Sequence, residues 1–92
     1  MKVIFKESFI NRLENQVEYI ARDSPSRARK FNKELFTRIR QISLNPYQYR
    51  KSIYFDNIQI RDLIFKGYTI VFRINVNTIE VFGFVKFQDS PV

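Results

Sequence analysis

The apolar and polar positions of this chain change period along its length, and each change predicts an element. Residues 1–6 set Val3 and Phe5 against Lys2 and Ile4, the alternation of a short strand. From Phe9 the period lengthens. Phe9, Leu13, Val17 and Ile20 are four, four and three residues apart, which places them on one side of a helix, with Ser8 as its N-cap. Arg22-Asp23-Ser24-Pro25 interrupts that pattern. Ser24 can cap a new helix and Pro25 suits its first position, where no backbone N–H is needed. The second helix carries Ala28, Phe31, Leu35, Ile39 and Ile42 on its apolar side and ends before Pro46, because proline pushes Asn45 out of helical geometry. So short a link forces the two helices to lie antiparallel.

Beyond a polar and aromatic loop at 47–51 the period becomes two. The run IQIRDLIFKGYTIVFRI at 58–74 places β-branched and aromatic residues on both sides of Lys66-Gly67. Gly67 supplies the positive φ of a tight turn, so the run predicts an antiparallel hairpin. Strands are expected at 58–65, 68–75 and 79–87, with a second turn at Asn75-Val76-Asn77-Thr78, where asparagine tolerates left-handed backbone. The order is strand, two helices, three strands. That is an α+β layer pair, one domain over residues 1–92, with one sheet and both helices on one of its faces.

Strand alternation assigns the faces. Tyr68, Ile70, Phe72 and Ile74, with Ile79, Val81, Gly83 and Val85, are expected toward the helices. Thr69, Val71, Arg73 and Asn75, with Glu80, Phe82, Phe84 and Lys86, are expected on the other side. A free sheet face is normally polar. Val71, Phe82 and Phe84 there mean either that a partner covers the face or that a bulge turns the phenylalanines into the core.

Composition narrows the chemistry. Sixteen basic and nine acidic residues give a net charge of +7, which favours an anionic partner: nucleic acid, an anionic membrane surface or an acidic protein. Much of that charge is on the second helix, where Arg29, Lys33 and Arg40 form an unpaired row beside Glu34, which can pair with Lys30 and Arg38. Such a row is either a solvated face or a contact for phosphate or acidic protein. The chain has no cysteine and no histidine. It therefore has no disulfide framework, no thiolate nucleophile and no imidazole base or ligand; a metal site and a cofactor are not expected. The start does not resemble a signal peptide, and no apolar run approaches the roughly 18 residues that cross a bilayer, so a cytoplasmic protein without a membrane partner is expected.

Three segments carry a resemblance: YIARDSPSRARKF at 19–31, the Asn45-Pro46 break followed by Arg50, and IRDLIFKGYTIVFRI at 60–74. In this order and spacing, over nearly the whole chain, they resemble the RelE/ParE toxin superfamily of type II toxin–antitoxin systems. The resemblance implies a small bacterial plasmid-stabilisation or growth-inhibition toxin, with a cognate antitoxin lying in a groove formed by the helix hairpin and a sheet edge. Operator DNA is then reached only through the antitoxin.

The superfamily divides by mechanism. RelE-like members cut mRNA on the ribosome, using Lys and Arg on the sheet and a Tyr or His near the C-terminus, whereas ParE-like members inhibit DNA gyrase by protein contact. Cleavage requires charge stabilisation at the phosphate and groups that move protons. Arginine supplies only the first, since its pKa above about 12 keeps it protonated. Where RelE-like sequences carry an Arg after the Gly-Tyr pair, this chain has Thr69, and the tail Lys86-Phe87-Gln88-Asp89-Ser90-Pro91 has no Arg, His or Tyr. For an mRNA endoribonuclease, Arg61, Arg73 and Lys86 are the candidates to hold the scissile phosphate. Asp62 is expected to pair with its neighbour Arg61. The ParE-like reading fits better, with Arg29, Lys33, Arg40, Arg50, Arg61, Val71, Arg73, Phe82, Phe84 and Lys86 as contacts to target or antitoxin.

Overall fold

A computed structural model describes residues 1–86. The chain runs β1 (Lys2–Phe5), α1 (Glu7–Asp23), α2 (Pro25–Arg40), β2 (Arg50–Lys51), β3 (Ile60–Phe65), β4 (Tyr68–Ile74) and β5 (Thr78–Lys86). The strands form one sheet in the order β1-β5-β4-β3-β2, with β1 parallel to β5 and every other pair antiparallel. The expected continuation of the last strand to Phe87, and the tail at 87–92, lie outside the described residues.

Only Ser24 separates the two helices. Its N–H donates to the Ile20 carbonyl at 3.0 Å, closing α1, and its hydroxyl accepts from the Arg27 N–H at 3.2 Å, opening α2 behind Pro25. The start of α1 differs from the expectation. Its N-cap is Lys6, without a side-chain cap, while the Ser8 hydroxyl donates to the Phe82 carbonyl at 2.8 Å and ties α1 to β5. After α2 the backbone tightens into 3₁₀ turns at Gln41–Leu44 and Pro46–Gln48, then enters β2. The expected loop at 47–51 therefore contains a short edge strand.

The core lies between the helices and one sheet face. Phe9, Leu13, Phe31, Leu35, Ile39 and Ile42 meet Leu63, Phe65, Ile70, Phe72, Ile74, Ile79, Val81 and Phe84. Each such side chain contributes about 1.5–3 kcal/mol by leaving water. Tyr68 stacks on Phe84 at 5.0 Å between ring centroids and meets Phe31 edge-on at 5.3 Å.

The two turns work differently. Lys66 (φ 47°) and Gly67 (φ 83°) are both left-handed, as a two-residue hairpin connection requires. At the β4–β5 turn the asparagines keep negative φ. There the Asn75 N–H donates to the Thr78 carbonyl at 2.8 Å and its side-chain amide to the Thr78 hydroxyl at 3.1 Å.

A bulge changes the expected faces of β5. Ile70 pairs with Phe84 and Val71 with Gly83, but Phe72 pairs with Val81, leaving Phe82 as an extra residue. Alternation inverts there. Phe84 joins the core, and Gly83 and Val85 take the register positions beside Val71 and Thr69 on the outer face. A Cβ on Gly83 would meet the Val71 Cβ at 2.8 Å, so glycine lets the two strands close at the bulge.

Candidate interaction surfaces

The outer sheet face is organised by a buried carboxylate. Asp62 Oδ2 accepts from Arg50 Nη2 at 3.1 Å, from Arg50 Nε at 3.2 Å and from the Ile53 N–H at 3.1 Å. Its side chain is fully shut off from solvent, and Oδ1 has no partner. The expected Arg61–Asp62 pair does not form, because neighbours on a strand face opposite sides. Arg61 instead clamps the chain before β2: Nε donates to the Ile58 carbonyl at 2.9 Å, Nη1 to those of Tyr49 at 3.0 Å and Tyr47 at 3.4 Å. Its guanidinium lies 5.0 Å from the Tyr47 ring centroid.

Arg61, Arg73 and Lys86 are not gathered into one anion site. Arg61 pairs in register with Phe72, so Arg73 points to the opposite face. There Glu80 lies between Arg73 at 4.0 Å and Lys6 at 3.7 Å. Lys86 pairs in register with Tyr68, roughly 13 Å along β4 from Phe72 at the usual strand rise, and its ammonium lies 5.9 Å from the Tyr19 ring centroid. Tyr68 faces the helices, where burial, then the neighbouring Tyr19, holds its phenol above the ordinary value of 10. It offers no proton to the outer face.

The expected apolar contacts separate as well. Val71 is buried, Phe84 belongs to the core, and Phe82 is half-buried with its ring 5.6 Å from that of Phe55. The segment between β2 and β3 thus reaches over the outer face. Ile53, Tyr54 and Ile64 are exposed beside Arg50 and Thr69, and sequence reasoning did not single them out. The available signal was the apolar run Ile53-Tyr54-Phe55 outside any strand period.

On the other side, Arg29, Lys33 and Arg40 are exposed along α2, with Arg40 Nη2 donating to the Thr37 hydroxyl at 3.3 Å. Glu34 pairs with Lys66 of the hairpin turn at 2.7 Å and with Lys30 at 3.9 Å, rather than with Arg38. The Lys66 hydrogen bond is the main reason its carboxyl is held below the ordinary 4.5. Lys30, Lys33, Arg38 and Lys66 border a groove whose floor includes Phe65. A more apolar groove runs between the helices, lined by Phe5, Ile10, Leu13, Val17 and Phe36. Among the described residues no three acidic side chains gather to hold a metal ion, and no helix is long and apolar enough to cross a membrane.

An antiparallel helix pair packed on one face of a mixed five-strand sheet is the architecture of a RelE/ParE superfamily toxin. The chain belongs to the ParE toxin family: residues 3–87 match the family described as the ParE toxin of the type II toxin–antitoxin system parDE. The fold is similar to that of a solved structure described as the chromosomal ParDE TA system from P. aeruginosa, with a TM-score of 0.77 over 96% of this chain and 97% of that one. Sequence identity between the two is 13%, so the likeness is one of fold. No curated protein sequence matches the chain.

Proposed function

We propose that this protein is a cytoplasmic toxin that inhibits growth by binding DNA gyrase and is neutralised by a cognate antitoxin. The placement of its basic residues supports that reading over mRNA cleavage. Arg61 donates from Nε and Nη1 to three backbone carbonyls, Arg73 lies on the other sheet face beside Glu80, and Lys86 ends β5 opposite the start of β4. The three cations are thus held by separate partners instead of being gathered round one phosphate, and Tyr68 is turned toward the helices. Contact with a large protein needs only a shaped surface, which the two faces provide. The antitoxin is assigned to the groove between the helices, where Ile10, Val17 and Phe36 present apolar surface to a folding segment.

Two assays run side by side on antitoxin-free protein test this function: gyrase supercoiling and ribosome-programmed mRNA cleavage. Inhibited supercoiling with intact mRNA is the expected result. Codon-phased cuts in the message would overturn the proposal in favour of a ribosome-dependent endoribonuclease.

A further inference from the structure

The charge of this chain is segregated between its helices. In α1 the carboxylates of Glu7, Glu14, Glu18 and Asp23 outnumber Arg12 and Arg22, whereas α2 carries six basic side chains against Glu34 alone. All six are exposed. Among the described residues only Lys30 of the six has a carboxylate partner, Glu34 at 3.9 Å. The hairpin turn adds a seventh cation: Lys66 reaches Glu34 at 2.7 Å, so the one carboxylate of the helix is engaged in holding the turn against α2.

Two grooves of about 560 and 320 Å³ lie along this seam, and Lys30 and Lys66 line both. Arg27 belongs to the smaller, Lys33 and Arg38 to the larger. The floor distinguishes the possible occupants. Phe65 and Phe31 lie there but are only 4% and 8% exposed, with their rings packed on each other at 5.6 Å and the Lys66 ammonium 5.5 Å from the Phe65 centroid. A protein partner needs an apolar centre to desolvate, and little is left uncovered. An anionic membrane surface needs exposed apolar side chains beside the cations, and none of the exposed large apolar residues lines these grooves. A nucleic-acid backbone needs neither, because its affinity comes from cations that displace counterions. Arg27 to Arg38 covers about 16 Å of helix axis at the usual rise, a length that suits a run of phosphates better than a single one.

We propose that the seam between α2 and the β3–β4 turn binds the sugar–phosphate backbone of a nucleic acid directly, with Arg27, Lys30, Lys33, Arg38 and Lys66 facing its phosphates. Backbone contacts carry no sequence, so operator choice still falls to the antitoxin. The seam shares no lining residue with the groove assigned to the antitoxin, and the inference holds whichever target the toxin has.

Fluorescence anisotropy on antitoxin-free protein tests the seam, with short labelled duplex DNA and single-stranded RNA as probes. Engaging three phosphates should make the affinity for duplex DNA fall roughly forty-fold between about 50 and 200 mM salt. Lys33→Glu combined with Arg38→Glu should weaken binding by roughly tenfold or more and flatten that salt dependence. Lys2→Glu combined with Arg12→Glu removes the same charge at exposed positions elsewhere and should change binding far less. Thermal melting checks that both double variants fold like the parent, and Lys33→Gln with Arg38→Gln stands in if the reversal does not. Binding to DNA, to RNA or to both, with the loss confined to the α2 variant, supports the seam and shows which strand it takes. Equal losses in the two double variants overturn it, since binding then follows net charge alone. No binding by the parent at the lower salt overturns it as well. So does displacement of the probe by poly-glutamate or by phosphatidylserine vesicles at equal charge, since the surface then takes acidic protein or lipid.

Discussion

Arg50 and Asp62 face each other across the β2–β3 pair, their charges 3.1 Å apart, with the carboxylate wholly buried and the guanidinium half exposed. The pair gives a two-residue edge strand its register. Removing Arg50 leaves a buried carboxylate with one backbone donor. Arg50→Ala is therefore expected to cost about 2–3 kcal/mol, less than the roughly 3–5 of a fully buried pair because water can enter where the half-exposed guanidinium was removed. The double change Arg50→Met with Asp62→Leu should cost less than Arg50→Ala alone, since it leaves no charge stranded. Urea unfolding of the three proteins checks this; a double variant less stable than the single one would rule it out.

Arg61 gives a second expectation. It donates to three carbonyls and covers Tyr47, so Arg61→Ala should lower stability by about 1–3 kcal/mol. Arg61→Lys should recover less than half of that, because an ammonium lacks the fork that spans separate acceptors. Any loss of toxicity in Arg61→Ala then comes with a lower melting temperature. A variant that melts like the parent would return Arg61 to the list of contact residues.

Gly83 is the steric partner of Val71. Gly83→Ala places a methyl 2.8 Å from the Val71 Cβ and should cost about 1–3 kcal/mol through overpacking. In a Val71→Gly background the same change should cost much less. A double-mutant cycle measures the difference, and additive effects would mean that the strands relax instead of clashing.

Glu34 links pH to stability. Its carboxyl is held below 4.5 when folded, chiefly by Lys66, so the folded protein favours the charged form. That contribution is present above the ordinary carboxylate range and disappears as pH falls through the depressed folded value. Glu34→Gln should therefore melt below the parent at pH 7, with the gap closing as pH falls below the ordinary carboxylate value of 4.5. A constant gap across that range would assign the effect to packing.

Local chemistry made much of this fold legible in sequence. Ser24-Pro25 marks a helix boundary whatever surrounds it, and Lys66-Gly67 between two strand-like runs permits little except a hairpin. What escaped depends on distant contacts. A strand as short as Arg50–Lys51 exists because Asp62 is opposite, which no local period reports. The sequence Phe82-Gly83-Phe84 is apolar in either alternation, so the face of each phenylalanine is set by the bulge, to which Gly83 in mid-strand was the one available clue. Ser8 has the chemistry of a cap, yet its hydroxyl is used on Phe82, far away in the chain. The scattered basic site failed for a related reason: residues that share a strand pattern need not share a face.

The parallel pairing of β1 with β5 also bears on the order of assembly. Lys2 is in register with Thr78, so β1 must wait for the synthesis of β5 before it finds its place. The helix hairpin and the β3–β4–β5 meander can form from near neighbours, whereas this edge closes a loop spanning most of the domain, the kind of contact that slows folding. In the interval the apolar sides of Val3 and Phe5 stay uncovered, and the helices have only part of the sheet to rest on. A nascent toxin is in this sense unfinished until β5 emerges. Mutations that weaken the β1–β5 seam should lengthen that exposed interval more than they change the finished structure.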